Sequence, residues 1–218
     1  MISLKKLDKP TILCEKEEIW KKELMDHYYK ENNILKTANK KYGHSEIKSI
    51  LIQETNHKCA YCESKITAID HGDIEHIEPK SKVPIRTFDW DNLTLSCRKC
   101  NQNKGAYYNP EKPLLNPYLD DIGKEIVFLG PIISARTDRA QLTVKLLKLD
   151  RVELFERRTN YINNIQPLID LFVQTDDEIM KELTYQDILE YTENKNEYSA
   201  MMKSVVSTIN SPTIENVS

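Results

Sequence analysis

The sequence predicts an α+β fold that is mostly helical, with one small strand-and-helix unit set between two helical segments. Three observations predict it. Apolar residues recur at helical spacing in the first and last parts of the chain. The stretch from His57 to Gly105 instead alternates short apolar runs with turn residues. That same stretch holds two Cys-x-x-Cys pairs, Cys59/Cys62 and Cys97/Cys100. A chain of 218 residues can bury a real core. We expect three regions: an N-terminal helical segment at 1–53, the cysteine-bearing unit at 54–121, and a C-terminal helical region at 122–218.

The elements follow in order. Residues 15–41 read as helix, with Ile19, Trp20, Leu24 and Tyr28 near helical spacing. A second helix is expected from Ser45 to Gln53, with Ile47, Ile50 and Leu51 on one side. Asn109 to Asp121 is rich in Pro and Asn and reads as an irregular connector. Helix resumes after Thr137, where Leu142, Val144, Leu146, Leu147 and Leu149 give an apolar face. Asp150-x-x-Glu153 predicts a capping box for a helix reaching about Val173, which Pro167 should bend or interrupt. Thr175-x-x-Glu178 should open another helix, Tyr198 to Thr208 a last one, and residues 211–218 should fray.

Composition narrows the function classes. Hydrophobic residues make up 39% and charged residues 30%, too apolar a balance for wholesale disorder. No stretch approaches the roughly 18 uninterrupted apolar residues of a membrane span. Lys5, Lys6 and Lys9 are not followed by the apolar core of a signal peptide, so a cytoplasmic location is expected. A net charge of −3 excludes a polycation that coats nucleic acid. Charge is uneven, however: residues 1–48 hold 11 Lys against 8 acids, and residues 176–218 hold 3 Lys against 9 acids. The last segment is therefore the wrong surface for a polyanion, and residues 137–218 read as a docking surface for a protein partner.

Disulfides are disfavoured in the cytosol, so the cysteine pairs point to metal or redox chemistry. Two residues between cysteines let both thiolates reach one ion, and two such knuckles complete a tetrahedral sulfur site suited to structural Zn²⁺. Core cysteines need not come as two such pairs, and a thioredoxin-type dithiol needs only one. Cys14 stands apart and is expected to be a small buried residue.

Between the pairs lies Asp73-Ile74-Glu75-His76-Ile77-Glu78-Pro79, a short strand entering a loop. Phosphodiester hydrolysis at neutral pH needs a base for water and a hard cation to offset charge on the phosphate. His76 has the intrinsic pKa of such a base. Glu75, or Asp73 two residues earlier, supplies carboxylate oxygen for Mg²⁺ or Mn²⁺. A polar edge strand with solvated charges is the competing reading of this segment. Asn92 to Ser96 then forms a second strand running into Cys97-x-x-Cys100, followed by a polar turn of helix that Gly105 ends. The second knuckle thus fixes where Asn101, a neutral oxygen donor, and Lys104, a phosphate contact, are carried.

Together these residues resemble the HNH (ββα-metal) endonuclease motif. The resemblance implies His76 as general base, Glu75 as metal-binding acid, Asn92 as the residue bracing the hairpin loop and Asn101 as the helix ligand. Glu75 stands where Asp is commoner, so Asp73 shares its candidacy. Asp70-His71 is a second acid-His pair, but Gly72 follows it where the family has an Ile-x-Pro run. A longer match is closer still: Cys59-Ala60-Tyr61-Cys62, Ile74 to Ser81, Cys100 to Gly105 and Leu115 to Asp121 resemble the PtuB family of Septu antiphage systems. That resemblance implies nucleic acid as substrate, DNA favoured, and a PtuA-like ABC-type ATPase as partner. A free-standing restriction or homing nuclease, and a zinc-stapled binding module without catalysis, are the alternatives.

Overall fold

The computed structural model describes residues 1–34, 36–66 and 71–209. The first helix, α1 (Thr11–Glu31), stops where Asn32 adopts a left-handed φ of 49°. Asn tolerates that conformation better than most residues, and it closes the helix. The single helix expected over 15–41 is therefore two, α1 and the short α2 (Ala38–Tyr42). Next comes α3 (Ser45–Glu54), which buries Ile47 and Leu51.

The strand-and-helix unit follows. Strand β1 (Asp73–His76) pairs antiparallel with β2 (Leu93–Ser96), with His76 opposite Leu93 and Asp73 opposite Ser96. Helix α4 (Arg98–Lys104) begins one residue after β2 ends, with Cys97 as its cap residue. It ends at Gly105, whose φ of +53° strains any residue with a Cβ. The connector from Asn109 to Asp121 is irregular, as its composition implies.

A second hairpin departs from the expectation of helix alone in the C-terminal region. After a single turn, α5 (Ile122–Glu125), strands β3 (Ile126–Leu129) and β4 (Ile132–Ala135) pair across Gly130-Pro131. Then α6 (Asp138–Leu146) opens with Thr137 Oγ1 accepting from the Ala140 amide. Helix α7 (Val152–Gln174) has Arg151 as its cap and no side-chain cap bond. The expected capping box at Asp150 is absent: the cap position falls one residue later, and the Asp150 carboxylate pairs with Lys145. Pro167 sits inside α7 without ending it. The carbonyl it deprives of a partner is that of Asn163, an exposed residue, where a lost backbone bond costs least. Helix α8 (Glu178–Glu190) is capped by Asp177, not Thr175, through a 2.9 Å bond from the Met180 amide. The last helix among the described residues is α9 (Ser199–Val206). The expected fraying at 211–218 falls outside the described residues.

One apolar cluster takes in residues from all three expected regions, from Leu13 and Leu51 through Cys59, Leu95 and Val144 to Met201. A smaller one joins Phe172, Ile188 and Val206. Among the apolar residues of the C-terminal region, Phe172, Ile188 and Met201 are buried, while Leu171, Val173, Ile179 and Leu183 are exposed. Cys14, expected inside, is also exposed, since its helix turns that side to solvent.

Candidate functional site

The two knuckles meet. One sulfur from each of Cys59, Cys62, Cys97 and Cys100 lies within 4.8 Å of the other three, and the Cys62 and Cys97 sulfurs are 3.9 Å apart. A tetrahedral ion with Zn–S bonds of about 2.3 Å places its sulfurs about 3.8 Å apart. The donor set fits a closed four-sulfur site. Its electrostatics point the same way. Burial pushes the Cys59 thiol up, whereas hydrogen bonds from the neighbouring thiols pull Cys62 well down. Four packed sulfurs cannot all be thiolates without a cation among them. Arg151 Nη1 donates to the Cys100 sulfur at 3.8 Å.

The first knuckle is also tied to the distant chain end. Glu63, buried, accepts from the Ser199 hydroxyl and the Ala200 amide, each at 3.2 Å. Ser64 and Tyr198 share a 3.0 Å hydroxyl–hydroxyl bond.

Between the knuckles, the loop joining β1 to β2 is held from below by Asn92. This side chain is fully buried: its Oδ1 accepts from the Glu78 amide at 2.8 Å, and its Nδ2 donates to the Glu78 and Arg86 carbonyls at 3.0 Å each. The loop so fixed presents the Thr87 carbonyl to His76 Nε2 at 2.9 Å. A carbonyl can only accept, so Nε2 carries the proton and the basic lone pair is on Nδ1. Tyr42 meets the imidazole edge-on, with ring centroids 4.7 Å apart. Burial lowers the His76 pKa to about 4, so the ring is neutral at pH 7.

A cleft of about 670 Å³ collects the predicted residues: Asp73, Glu75, His76 and Asn101 all line it, beside Tyr42 and Lys80. Asn101 Nδ2 donates to Asp73 Oδ2 at 2.9 Å. Glu75 is buried, and its carboxyl is pushed above its usual range by that burial, against the pull of Lys104. Lys104 departs from expectation. It is 4% exposed and bonds Glu75 Oε1 at 2.6 Å and the His76 carbonyl at 2.8 Å, so it props the strand where a phosphate contact was expected. His71 is exposed and does not line the cleft, and Asp70 lies outside the described residues. Sequence reasoning misses Tyr42, Thr87 and Lys80. Tyr42 is 34 positions from His76, and Thr87 acts through its backbone, so neither leaves a pattern in the sequence.

Among the described residues no helix is long and apolar enough to cross a membrane. Residues 59–106 match the HNH endonuclease family model. The chain is 28% identical to Septu protein PtuB of Bacillus thuringiensis, over 70% of this chain and 56% of that protein. It is 27% identical to Septu protein PtuB of Bacillus mycoides (strain KBAB4), over 76% of this chain and 75% of that protein. Against the first of these relatives, the match spans little more than half its length. Residues 59–106 thus carry an HNH endonuclease domain, the domain of a nuclease, and within it four cysteines that could hold a metal ion.

Proposed function

We propose that this protein is a metal-dependent HNH endonuclease that hydrolyses phosphodiester bonds of nucleic acid, with DNA the favoured substrate. It acts, in this reading, as the nuclease subunit of an antiphage complex controlled by a PtuA-like ABC-type ATPase. The observation that carries the reading is the convergence of Asp73, Glu75, His76 and Asn101 on one cleft, with Asn92 bracing the loop above them. The similarity to Septu protein PtuB supports the antiphage setting and the partner.

The residues divide the work as follows. His76 Nδ1 takes the proton of the attacking water, and the Thr87 carbonyl holds the ring in the tautomer that leaves this nitrogen free of its own proton. Burial keeps the ring neutral and therefore competent as a base. Asp73 with Asn101 would hold a Mg²⁺ or Mn²⁺ ion, after the Asn101 amide turns its oxygen outward, and Glu75 joins them if Lys104 yields. A divalent ion so bound offsets charge on the phosphate and the leaving oxygen. Lys80 adds positive charge at the cleft wall. The four cysteines would hold Zn²⁺ as a structural ion, because a closed sulfur set has no open coordination position.

The test is the protein with Mg²⁺ on labelled duplex DNA, single-stranded DNA and RNA, with and without a PtuA-like ABC-type ATPase. Cleavage should fall by about 10²–10⁴-fold in His76→Ala, the range for a lost general base, with fold and zinc content kept. His71→Ala should cleave as the parent does, and Asn101→Ala should lose activity at limiting Mg²⁺. Parental cleavage by His76→Ala removes it as the base. A parent that cleaves none of the three substrates under any of these conditions sinks the nuclease reading.

A further inference from the structure

The cleft does not end at the catalytic candidates. Arg98, which lines it, also lines a neighbouring groove of about 390 Å³ that runs over the outer side of the cysteine cluster. Among the described residues, that groove holds Lys65, Arg98, Lys99, Arg151 and Arg157 against one carboxylate, Glu153. Lys65 and Arg157 line in turn a third hollow of about 350 Å³, together with Asn160, Asn164 and one carboxylate, Glu197, among the described residues. Three adjoining depressions thus share their boundary residues, and the shared residues are cationic.

These cations are available. Lys65, Arg98, Lys99 and Arg157 are exposed, and among the described residues none of them has a carboxylate within ion-pair distance. By contrast, Lys9, Lys21, Lys41, Arg86 and Arg139 elsewhere on the chain are each spent on a carboxylate. Arg151 is half-buried and leans on the Cys100 sulfur, so it offsets charge on the thiolate cluster, and the four outer cations remain for a ligand. Arg157, Asn160 and Asn164 recur at helical spacing on α7, a row about 10 Å long. Exposed Arg, Lys and Asn in a line are the side chains that contact phosphate and sugar oxygens.

Resting on the nuclease reading above, we infer that this groove is the track for the nucleic-acid backbone on one side of the scissile phosphate. It leads from the cleft across Arg98 and Lys99 to Arg157, Asn160 and Asn164 on α7. The chain as a whole is at −3, so the track is a local reversal of sign. Such a reversal attracts a polyanion to one strip and repels it from the acidic helices beyond residue 176. The early part of α7 therefore belongs to the substrate surface, which divides the C-terminal region in a way that its overall charge does not show.

The experiment compares His76→Ala with the same protein carrying Arg98→Gln, Lys99→Gln and Arg157→Gln. Binding to fluorescent duplex DNA, single-stranded DNA and single-stranded RNA is measured across salt concentrations without cleavage. The triple substitution should weaken binding by 10-fold or more. It should also flatten the slope of log K against log salt by roughly 2–3 on duplex DNA, about 0.9 for each lost phosphate contact. Arg157→Gln alone should flatten it by roughly 1 and guards against a folding defect in the triple variant. Lys124→Gln, at an exposed position outside all three hollows, should change nothing. In the His76-competent protein, Arg157→Gln, outside the cleft, should raise KM. Unchanged affinity and slope in a folded triple variant overturn the track while the nuclease reading stands. If the variants instead lose only an acidic protein partner, the groove is a protein interface and the track is wrong. A parent that binds none of the three nucleic acids overturns both.

Discussion

Lys104 Nζ lies 2.6 Å from Glu75 Oε1, with both side chains almost wholly buried, so the last turn of α4 is clamped to the centre of β1. A buried pair of this kind resists loss of one partner more than loss of both, because the survivor is left as an unpaired charge. We expect Lys104→Met to lower the unfolding free energy by about 3–5 kcal/mol. Glu75→Gln combined with Lys104→Met should lose clearly less than the two single changes summed. Urea titrations of the four proteins measure this, and strict additivity would show that the clamp contributes nothing.

Asn92 satisfies three backbone groups of the β1–β2 loop at once. Asn92→Ala orphans the Glu78 amide and two carbonyls and should cost about 2–3 kcal/mol. Asn92→Asp should be worse, since its carboxylate faces the Glu78 and Arg86 carbonyls with no proton to give. The loop should also release the Thr87 carbonyl from His76, visible as faster amide exchange around Glu78. An Asn92→Asp protein as stable as the parent would show that the loop is held by something else.

Metal content offers a third check. We expect about one Zn²⁺ per chain on purification, and Cys97→Ser should aggregate or lose its fold. Chelation should do the same to the parent. A zinc-free Cys97→Ser protein with a parental melting curve would end the structural role proposed for the ion.

Acid stability follows from the buried imidazole. His76 has a folded pKa of about 4 against an ordinary 6.5, so the unfolded chain takes up the proton first. Its contribution is fully present above pH 6.5, shrinks as pH falls, and is gone by about pH 4. Over that window it amounts to about 3 kcal/mol, from roughly 1.4 kcal/mol per pKa unit. His76→Ala should therefore flatten the fall in unfolding free energy between pH 6.5 and 4 relative to the parent. Parallel curves for the two proteins would count against a neutral, buried His76.

The strand-and-helix unit was legible because its chemistry is local. Cysteine spacing, the Glu75-His76 pair and the Asn101 to Gly105 turn each lie within a few residues, and a knuckle of fixed geometry converts that spacing into position. The β3–β4 hairpin had a readable signal too, two apolar runs either side of Gly130-Pro131, which the helical periodicity nearby overshadowed. Other features leave no local trace. Lys104 reads as an exposed helix-end cation until the strand opposite shows a carboxylate buried beneath it. Tyr42 reaches His76, and Arg157 reaches Lys65, only through the tertiary fold. Asn32 ends α1 by a backbone conformation that composition merely permits.

The ties from Glu63 and Ser64 to residues 198–200 have a consequence for how the protein is made. The fourth cysteine leaves the ribosome 98 residues before Tyr198, an interval of about 5–20 s at ordinary synthesis rates. During that interval all four sulfurs exist, but Tyr198, Ser199 and Ala200, which hold Glu63 and Ser64 beside the first knuckle, do not. The nascent chain thus carries its complete thiol set before the contacts that anchor this knuckle to α9 can form.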